Sequence, residues 1–179
     1  MTLHTTVREG NAQIIRFLLD SLEEAGHTDT LVKLLLAQIY FGKTAWHVAA
    51  EKGQIEVLQT LWEWDGKVLT QEELNRMFLA KEGYDRTAWH IASMNGQIEV
   101  LKKLWEWAKE VLTPEEIKSM FLATDKSKRT AWHMASQNGQ IEVLNKLWKW
   151  AKEVLTSEEL QSIFLAGDES KWTAWHMAS

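Results

Sequence analysis

The chain contains no cysteine and only one proline among its 179 residues. Without cysteine there are no disulfides, no thiolate nucleophile and no cysteine-ligated zinc site, and this composition fits a reducing compartment. With one proline and no low-complexity tract, no stretch has the composition of a linker. We therefore expect one continuous domain.

Long apolar runs and a basic excess are also missing. The longest apolar run, LVKLLLAQIYF at 31–41, contains Lys33 and is too short to span a bilayer, and MTLHTTVREG at the start lacks the apolar core of a signal peptide. The net charge of −5 is opposite in sign to the surfaces that bind nucleic acids. We expect no membrane partner, no nucleic-acid partner, and a cytoplasmic or otherwise intracellular location.

The sequence does contain a repeat of fixed length. The string TAWH begins at Thr44, Thr87, Thr130 and Thr173, a spacing of 43 residues each time. A constant period of this size is the signature of a stacked repeat array. We expect a single repeat domain over 1–179, made of a divergent N-terminal cap at 1–43, copies at 44–86, 87–129 and 130–172, and a partial copy at 173–179.

Each copy carries signals for three helices in a fixed order. Thr44 is a good N-cap for the first helix, and Gly53 supplies the left-handed residue that commonly ends one. The stretch QIEVLQTLWEWDGKVL from Gln54 has helical periodicity with two apolar stripes, typical of a helix contacted on two sides. A third helix begins at TPEEI, where Thr113 and Glu116 form a capping box around a proline at the first helical position. The pattern predicts an all-α fold.

These motifs resemble a known family. TAWHVAAEKGQIEVLQTLWE is similar to the ankyrin-repeat pattern T-P-L-H-x-A-A with its glycine and apolar second helix, and AKEGYDRT resembles that family's turn into the next repeat. The resemblance covers the whole chain. The copies are about ten residues longer than an ordinary ankyrin repeat, and Ala45 and Trp46 stand where the family has proline and leucine.

The resemblance implies an ankyrin-like α-solenoid of four 43-residue helical repeats plus a C-terminal half-repeat, with short turns between repeats. The extra residues, which lengthen the second helix and supply the third, are expected on the outer, convex side. Binding of partners is expected on the opposite side, formed by the first helices and the turns.

Histidine recurs at one position in every copy, as His4, His47, His90, His133 and His176. A metal or proton array is one interpretation. Neighbouring helices pack about 8–10 Å apart, however, so equivalent imidazoles cannot share a zinc ion that requires contacts near 2 Å. We therefore expect each histidine, as the third residue of its helix, to hydrogen-bond the threonine three residues earlier.

The eleven tryptophans raise base stacking, carbohydrate binding and membrane contact as alternatives. Ten lie at first-helix core positions or on the two apolar stripes and are expected in the core: Trp46, Trp62, Trp64, Trp89, Trp105, Trp107, Trp132, Trp148, Trp150 and Trp175. Trp172, at a turn position, is either an exposed contact or packed against a further repeat. Asp65 and Gly66 replace the Ala-Lys of the other copies inside the second helix; they place a carboxylate at the edge of the apolar face, and we expect a bend or weak spot there.

No nucleophile elbow, phosphate-binding loop or metal-binding motif is present, so we expect no enzyme, no cofactor and no metal. Variation among the copies collects at the ends of the first helices and in the turns, where both recognition and neutral drift would place it. We expect a non-catalytic protein–protein interaction module that binds a protein partner through Glu51, Lys52, Tyr84, Asp85, Met94, Asn95, Lys126, Lys128, Gln137, Asn138, Asp168 and Trp172. The alternative is a structural segment of a longer array, without a dedicated ligand, that associates end to end through its C-terminal repeat.

Overall fold

The computed structural model of the chain describes residues 3–177. These residues form helices without a named strand, and one isolated bridge joins Gly167 to Thr173. The all-α prediction is confirmed. In chain order the helices are α1 (Leu3–Glu9), α2 (Ala12–Glu24), α3 (Thr28–Leu35), α4 (Ala45–Lys52), α5 (Ile55–Val68), α6 (Gln71–Phe78), α7 (Ala88–Met94), α8 (Ile98–Val111), α9 (Pro114–Leu122), α10 (Ala131–Gln137), α11 (Ile141–Val154), α12 (Ser157–Leu165) and α13 (Ala174–Met177).

The predicted start and stop signals are confirmed at the first helices. At the start of α4 the Thr44 hydroxyl and His47 form a reciprocal capping box, and Gly53 follows the helix with φ of +69°. This positive φ favours glycine, because a side chain at that position would strain the backbone.

The third helix of each copy also begins as predicted. At α9 the amide of Thr113 donates to the Glu116 carboxylate (2.8 Å), and Pro114 occupies the first helical position. Equivalent boxes start α6 and α12. These caps satisfy amide groups that the helix itself leaves unpaired.

The helices pack in an order that follows the chain. Helix α4 contacts α1 and α7, and α10 contacts α7 and α13. The third helix of one copy packs on the second helix of the following copy, as α3 does on α5, α6 on α8, and α9 on α11. One hydrophobic cluster consequently extends from Leu3 to Ala174.

Most of the tryptophans predicted in the core are buried, namely Trp46, Trp64, Trp89, Trp105, Trp107, Trp132 and Trp150. Trp62 is half-buried and packs against the same cluster. For Trp148 the prediction is wrong, because no helix of the described chain covers its side of α11 and the ring is exposed. Trp172 is exposed as well. The side chain of Trp175 lies outside the described residues.

Asp65 and Gly66, where the sequence predicts a bend or weak spot, lie within one continuous helix. Helix α5 runs without interruption from Ile55 to Val68, and Asp65 is fully buried rather than at the edge of the apolar face. The indole nitrogen of Trp46 donates a hydrogen bond to Asp65 Oδ2 (2.8 Å). This bond, from the neighbouring helix α4, holds a carboxyl group in the core.

None of the helices within residues 3–177 combines the length and the apolar character needed to cross a bilayer.

Candidate functional site

The turns between copies share one backbone geometry. In the turn at 82–86 the Glu82 amide donates to the Arg86 carbonyl (3.0 Å), and in the turn at 168–172 the Asp168 amide donates to the Trp172 carbonyl (2.9 Å). The fourth residue lies in the left-handed region: φ is +62° at Asp85, +59° at Lys128 and +64° at Lys171. Non-glycine residues adopt this conformation only where surrounding contacts fix it.

An acidic side chain supplies those contacts inside the turns at 82–86, 125–129 and 168–172, whereas Ile39 occupies the equivalent position in the turn at 39–43. Glu82 Oε1 accepts hydrogen bonds from the amides of Tyr84 (2.9 Å) and Arg86 (3.3 Å) and from the Arg86 guanidinium (2.9 Å). Burial opposes ionisation of Glu82, but these donors outweigh it and lower its pKa. Asp125 receives the same set of bonds in the turn at 125–129. Each of these turns is thereby fixed before any partner arrives.

Successive turns are also hydrogen-bonded to each other. The Gly83 amide donates to the Phe41 carbonyl, the Lys126 amide to the Tyr84 carbonyl (3.0 Å), and the Glu169 amide to the Ser127 carbonyl (3.0 Å). These bonds join residues one copy apart, so the turns form a continuous row along one side of the molecule.

Aromatic side chains stand exposed on this row. Tyr84 is 54% exposed and Phe41 is 71% exposed, and their rings stack with centroids 6.4 Å apart. The Arg86 guanidinium lies 4.8 Å from the Tyr84 ring, a cation–π contact. Sequence analysis did not identify Phe41 or its neighbour Tyr40; aligning the divergent first copy would have placed Phe41 at the position of Tyr84.

The ends of the first helices lie beside the turns, so the two predicted sets of residues form one surface. The last residue of each turn contacts the helix end eight residues later: Lys43 Nζ lies 2.6 Å from Glu51 Oε2, Arg86 NH1 3.8 Å from Met94 Sδ, and Arg129 NH1 3.1 Å from Gln137 Oε1. We call this the turn surface; it consists of residues 39–43, 51–52, 82–86, 94–95, 125–129, 137–138 and 168–172.

The remaining predicted side chains are either exposed or hydrogen-bonded to the backbone of their own helix or turn. Lys52, Lys126 and Lys128 are exposed. The Asn95 and Asn138 side-chain amides donate to carbonyls of their own helices. Asp168 accepts the amides of Ser170 (2.8 Å) and Trp172 (2.9 Å), so its carboxylate shapes the turn that presents Trp172.

The histidines of the first helices form hydrogen bonds with the residues that follow the third helices. His90 Nε2 lies 2.9 Å from the carbonyl oxygen of Ala123, and Nδ1 lies 3.3 Å from the Thr87 amide nitrogen. Because a carbonyl only accepts, Nε2 carries the proton and Nδ1 accepts from Thr87. The expected bond to threonine is confirmed, and the bond to a residue 33 positions away is additional.

Acid should weaken this network. Burial lowers the pKa of His90 to about 4 although its bond to Ala123 opposes the shift, and burial lowers the pKa of His47 and His133 in the same direction. Since the unfolded chain binds these protons below about pH 6.5 and the folded chain does not, we expect stability to fall as the pH drops from about 6.5 towards 4.

The slope contributed by each such histidine reaches at most about 1.4 kcal/mol per pH unit. NMR titration of the imidazoles checks this prediction. A His90 ring that titrates near 6.5 in the folded protein would contradict it.

The carboxylates of the described residues form no metal centre. Among residues 3–177 no group of three or more histidine, aspartate or glutamate side chains is placed to hold a metal ion. A cavity of about 520 Å³ between α3 and α6 is lined by Glu73 and Glu116, among others. Both of these glutamates close capping boxes at the starts of α6 and α9, so a structural role accounts for them.

A scan against protein-family models finds no match to the chain, and a search of the curated proteins finds none either.

Proposed function

We propose that the chain is a non-catalytic protein-binding module that holds a protein partner on the turn surface. The observation that carries the proposal is the exposed, stacked pair of Phe41 and Tyr84, beside a turn whose backbone is fixed by the buried Glu82 carboxylate. Exposed tyrosine, tryptophan and arginine are the residues on which protein recognition most often depends.

The rigidity of the turns favours binding. A partner that docks on a flexible loop must order that loop, which costs conformational entropy. Here the Glu82 and Asp125 side chains and the bonds between turns have already ordered the backbone. Specificity then depends on side chains that differ from copy to copy on a constant frame.

The fold that we propose for this module is an ankyrin-like solenoid of 43-residue repeats. Equal spacing of the TAWH motifs supports it. Contacts between successive first helices, from α1 through α4, α7 and α10 to α13, support it as well. In such an array each copy contacts only its neighbours, and the exposed side of the turns forms an extended surface.

Two double variants test the binding proposal. Phe41→Ala with Tyr84→Ala removes the stacked pair from the turn surface, whereas Phe17→Ala with Leu165→Ala removes two equally exposed apolar side chains elsewhere. Partners are captured from lysate by the unsubstituted chain, identified by mass spectrometry and purified. We expect the first variant to lower affinity for the partner roughly tenfold or more, and the second to leave it unchanged.

Thermal unfolding of both variants is the control for stability. The exposed control pair, Phe17 and Leu165, should change the free energy of unfolding by no more than about 0.5 kcal/mol, and the Phe41 and Tyr84 pair by about 1 kcal/mol, because its rings also stack on each other. If the purified partner binds both variants equally well, the turn surface is not the binding site.

A further inference from the structure

Three aromatic rings, one from each helix of a copy, form a socket on its C-terminal side. In the copy at 44–86 these rings are Trp46, Trp62 and Phe78, and in the copy at 87–129 they are Trp89, Trp105 and Phe121. We call this arrangement the tryptophan socket, because in both copies a tryptophan of the following copy fills it.

The two filled sockets receive their tryptophan in the same way. Trp107 of α8 stacks on Trp62 with ring centroids 5.1 Å apart and meets Trp46 at 5.5 Å. Trp150 of α11 stacks on Trp105 at 5.8 Å and meets Trp89 at 5.7 Å. In each case the incoming ring comes from the second tryptophan of an LWxWAK sequence on an amphipathic helix.

The copy at 130–172 has the same socket, and nothing in the described chain fills it. Its rings are Trp132, Trp148 and Phe164. The centroid of Phe164 lies 5.5 Å from that of Trp132 and 5.2 Å from that of Trp148, as in the filled sockets. A cavity of about 350 Å³ opens between these rings, Leu144 and Ala174.

Two rings of this socket are more exposed than their equivalents in the filled socket. Trp148 is 37% exposed where its equivalent Trp105 is 3% exposed, and Phe164 is 41% exposed where Phe121 is 1% exposed. These aromatic faces are hydrophobic surface that a further helix would remove from water.

We propose that this open socket binds a tryptophan presented by an amphipathic helix of a separate polypeptide, with the tryptophan placed as in the LWxWAK sequences of α8 and α11. Continuity with the two internal interfaces specifies the indole, since the two tryptophans of the socket contact one in both. Lys152 Nζ lies 5.2 Å from the Trp148 ring, as Lys109 Nζ lies 5.3 Å from the Trp105 ring of a filled socket, so the open socket keeps the surroundings of the filled one. The residues that line the socket are not residues of the turn surface, and the proposal does not depend on that surface.

A second copy of the chain fits the socket less well. Helix α2 is the helix that a second copy would offer from its N-terminal side, and Ser21 occupies the position equivalent to Trp64, Trp107 and Trp150. Phe17 on the exposed side of α2 lies about one helical turn away from that position. The free N-terminal side therefore offers no indole at the required place.

A peptide taken from the chain itself tests the proposal. The probe is QIEVLKKLWEWAKEVL, residues 97–112, labelled with fluorescein and held helical by a lactam between Glu99 and Lys103, because a free helix of this length is marginal in water. Anisotropy measures its binding to the full chain. The matched peptides carry Trp107→Ala, which removes the ring that enters a socket, or Trp105→Ala, which removes the ring on the opposite side.

We expect the probe and its Trp105→Ala form to bind, and the Trp107→Ala form to bind at least roughly tenfold more weakly. In the full chain, Trp148→Ala should weaken binding of the probe, whereas Trp172→Ala on the turn surface should not. Equal binding of the two substituted peptides, or no binding of the probe, would overturn the proposal. Concentration-dependent association of the free chain in sedimentation experiments, abolished by Trp148→Ala, would identify a second copy as the occupant and would also overturn it.

Discussion

Replacing Trp107 with alanine is expected to lower the free energy of unfolding by roughly 3–5 kcal/mol. The ring is buried between Trp46 and Trp62, with centroids 5.5 and 5.1 Å away. Its removal withdraws a large apolar surface from the core and leaves a cavity, and densely packed neighbours relax only in part. Urea denaturation followed by circular dichroism measures the change.

Two tryptophans that lack such neighbours serve as controls for this prediction. Trp172→Ala removes an exposed ring and should change the free energy of unfolding by about 0.5 kcal/mol or less. Trp148→Ala should lie between the two, because its ring contacts Phe164 but is not covered. If Trp107→Ala costs no more than Trp172→Ala, the internal socket does not stabilise the junction between copies.

Asp65→Asn is expected to stabilise the protein at alkaline pH. Burial raises the pKa of Asp65 from an ordinary 3.8 to about 8, while the hydrogen bond from Trp46 works in the opposite direction. Between these two pH values the folded chain holds a proton that the unfolded chain has lost. Stability therefore decreases as the pH rises from about 4 to about 8, by up to about 1.4 kcal/mol per pH unit.

Asparagine keeps an acceptor for the Trp46 indole and has no charge to bury. At pH 9 we expect Asp65→Asn to unfold with a free energy roughly 3 kcal/mol higher than the unsubstituted chain, and at pH 5 with a much smaller difference. Chemical denaturation across this pH range provides the measurement. Glu153→Gln, at an exposed position on α11, should leave the pH profile unchanged. Parallel profiles for Asp65→Asn and the unsubstituted chain would show that Asp65 does not titrate in this range.

Asp65→Ala gives the residue that the other copies carry, as Ala108 and Ala151. In those copies the Trp89 and Trp132 indole nitrogens are buried with no hydrogen-bond partner in the described chain. Alanine should therefore leave Trp46 in the same condition and cost about 1–3 kcal/mol at pH 5. At pH 9 the cost should shrink or reverse, because the buried carboxylate is gone. Comparing the free energies of unfolding at pH 5 and pH 9 separates the stabilisation by the hydrogen bond from the destabilisation by the buried charge.

Local features of this protein were predictable from its sequence. The capping boxes that pair Thr44 with His47 and Thr113 with Glu116 act between residues three apart, and the left-handed turn at Gly53 depends on one residue. Helical periodicity identified the buried faces of α5 and α8 for the same reason, since it reflects neighbours within a few turns.

The prediction for Asp65 failed because helical periodicity describes only one helix. A projection of α5 places Asp65 near the edge of its apolar face, but Trp46 of α4, nineteen residues earlier, covers the carboxyl group and donates to it. The prediction for Trp148 was wrong in the opposite direction, because this side chain is exposed and not buried. Its sequence context closely resembles that of Trp105, LWKWAK against LWEWAK, and the absence of a following helix in the described chain leaves it exposed.

The turn surface was predictable in part. Differences between copies located Tyr84 and Trp172, but the stacked Phe41 lies in the divergent copy, and the bonds that join one turn to the next connect residues one copy apart. The sequence by itself determined the helices, their ends and the period, because these depend on contacts within a few residues. Only the tertiary structure decided which tryptophans are covered, which carboxyl group is buried and which turns adjoin, because each depends on groups that distant parts of the chain bring into contact.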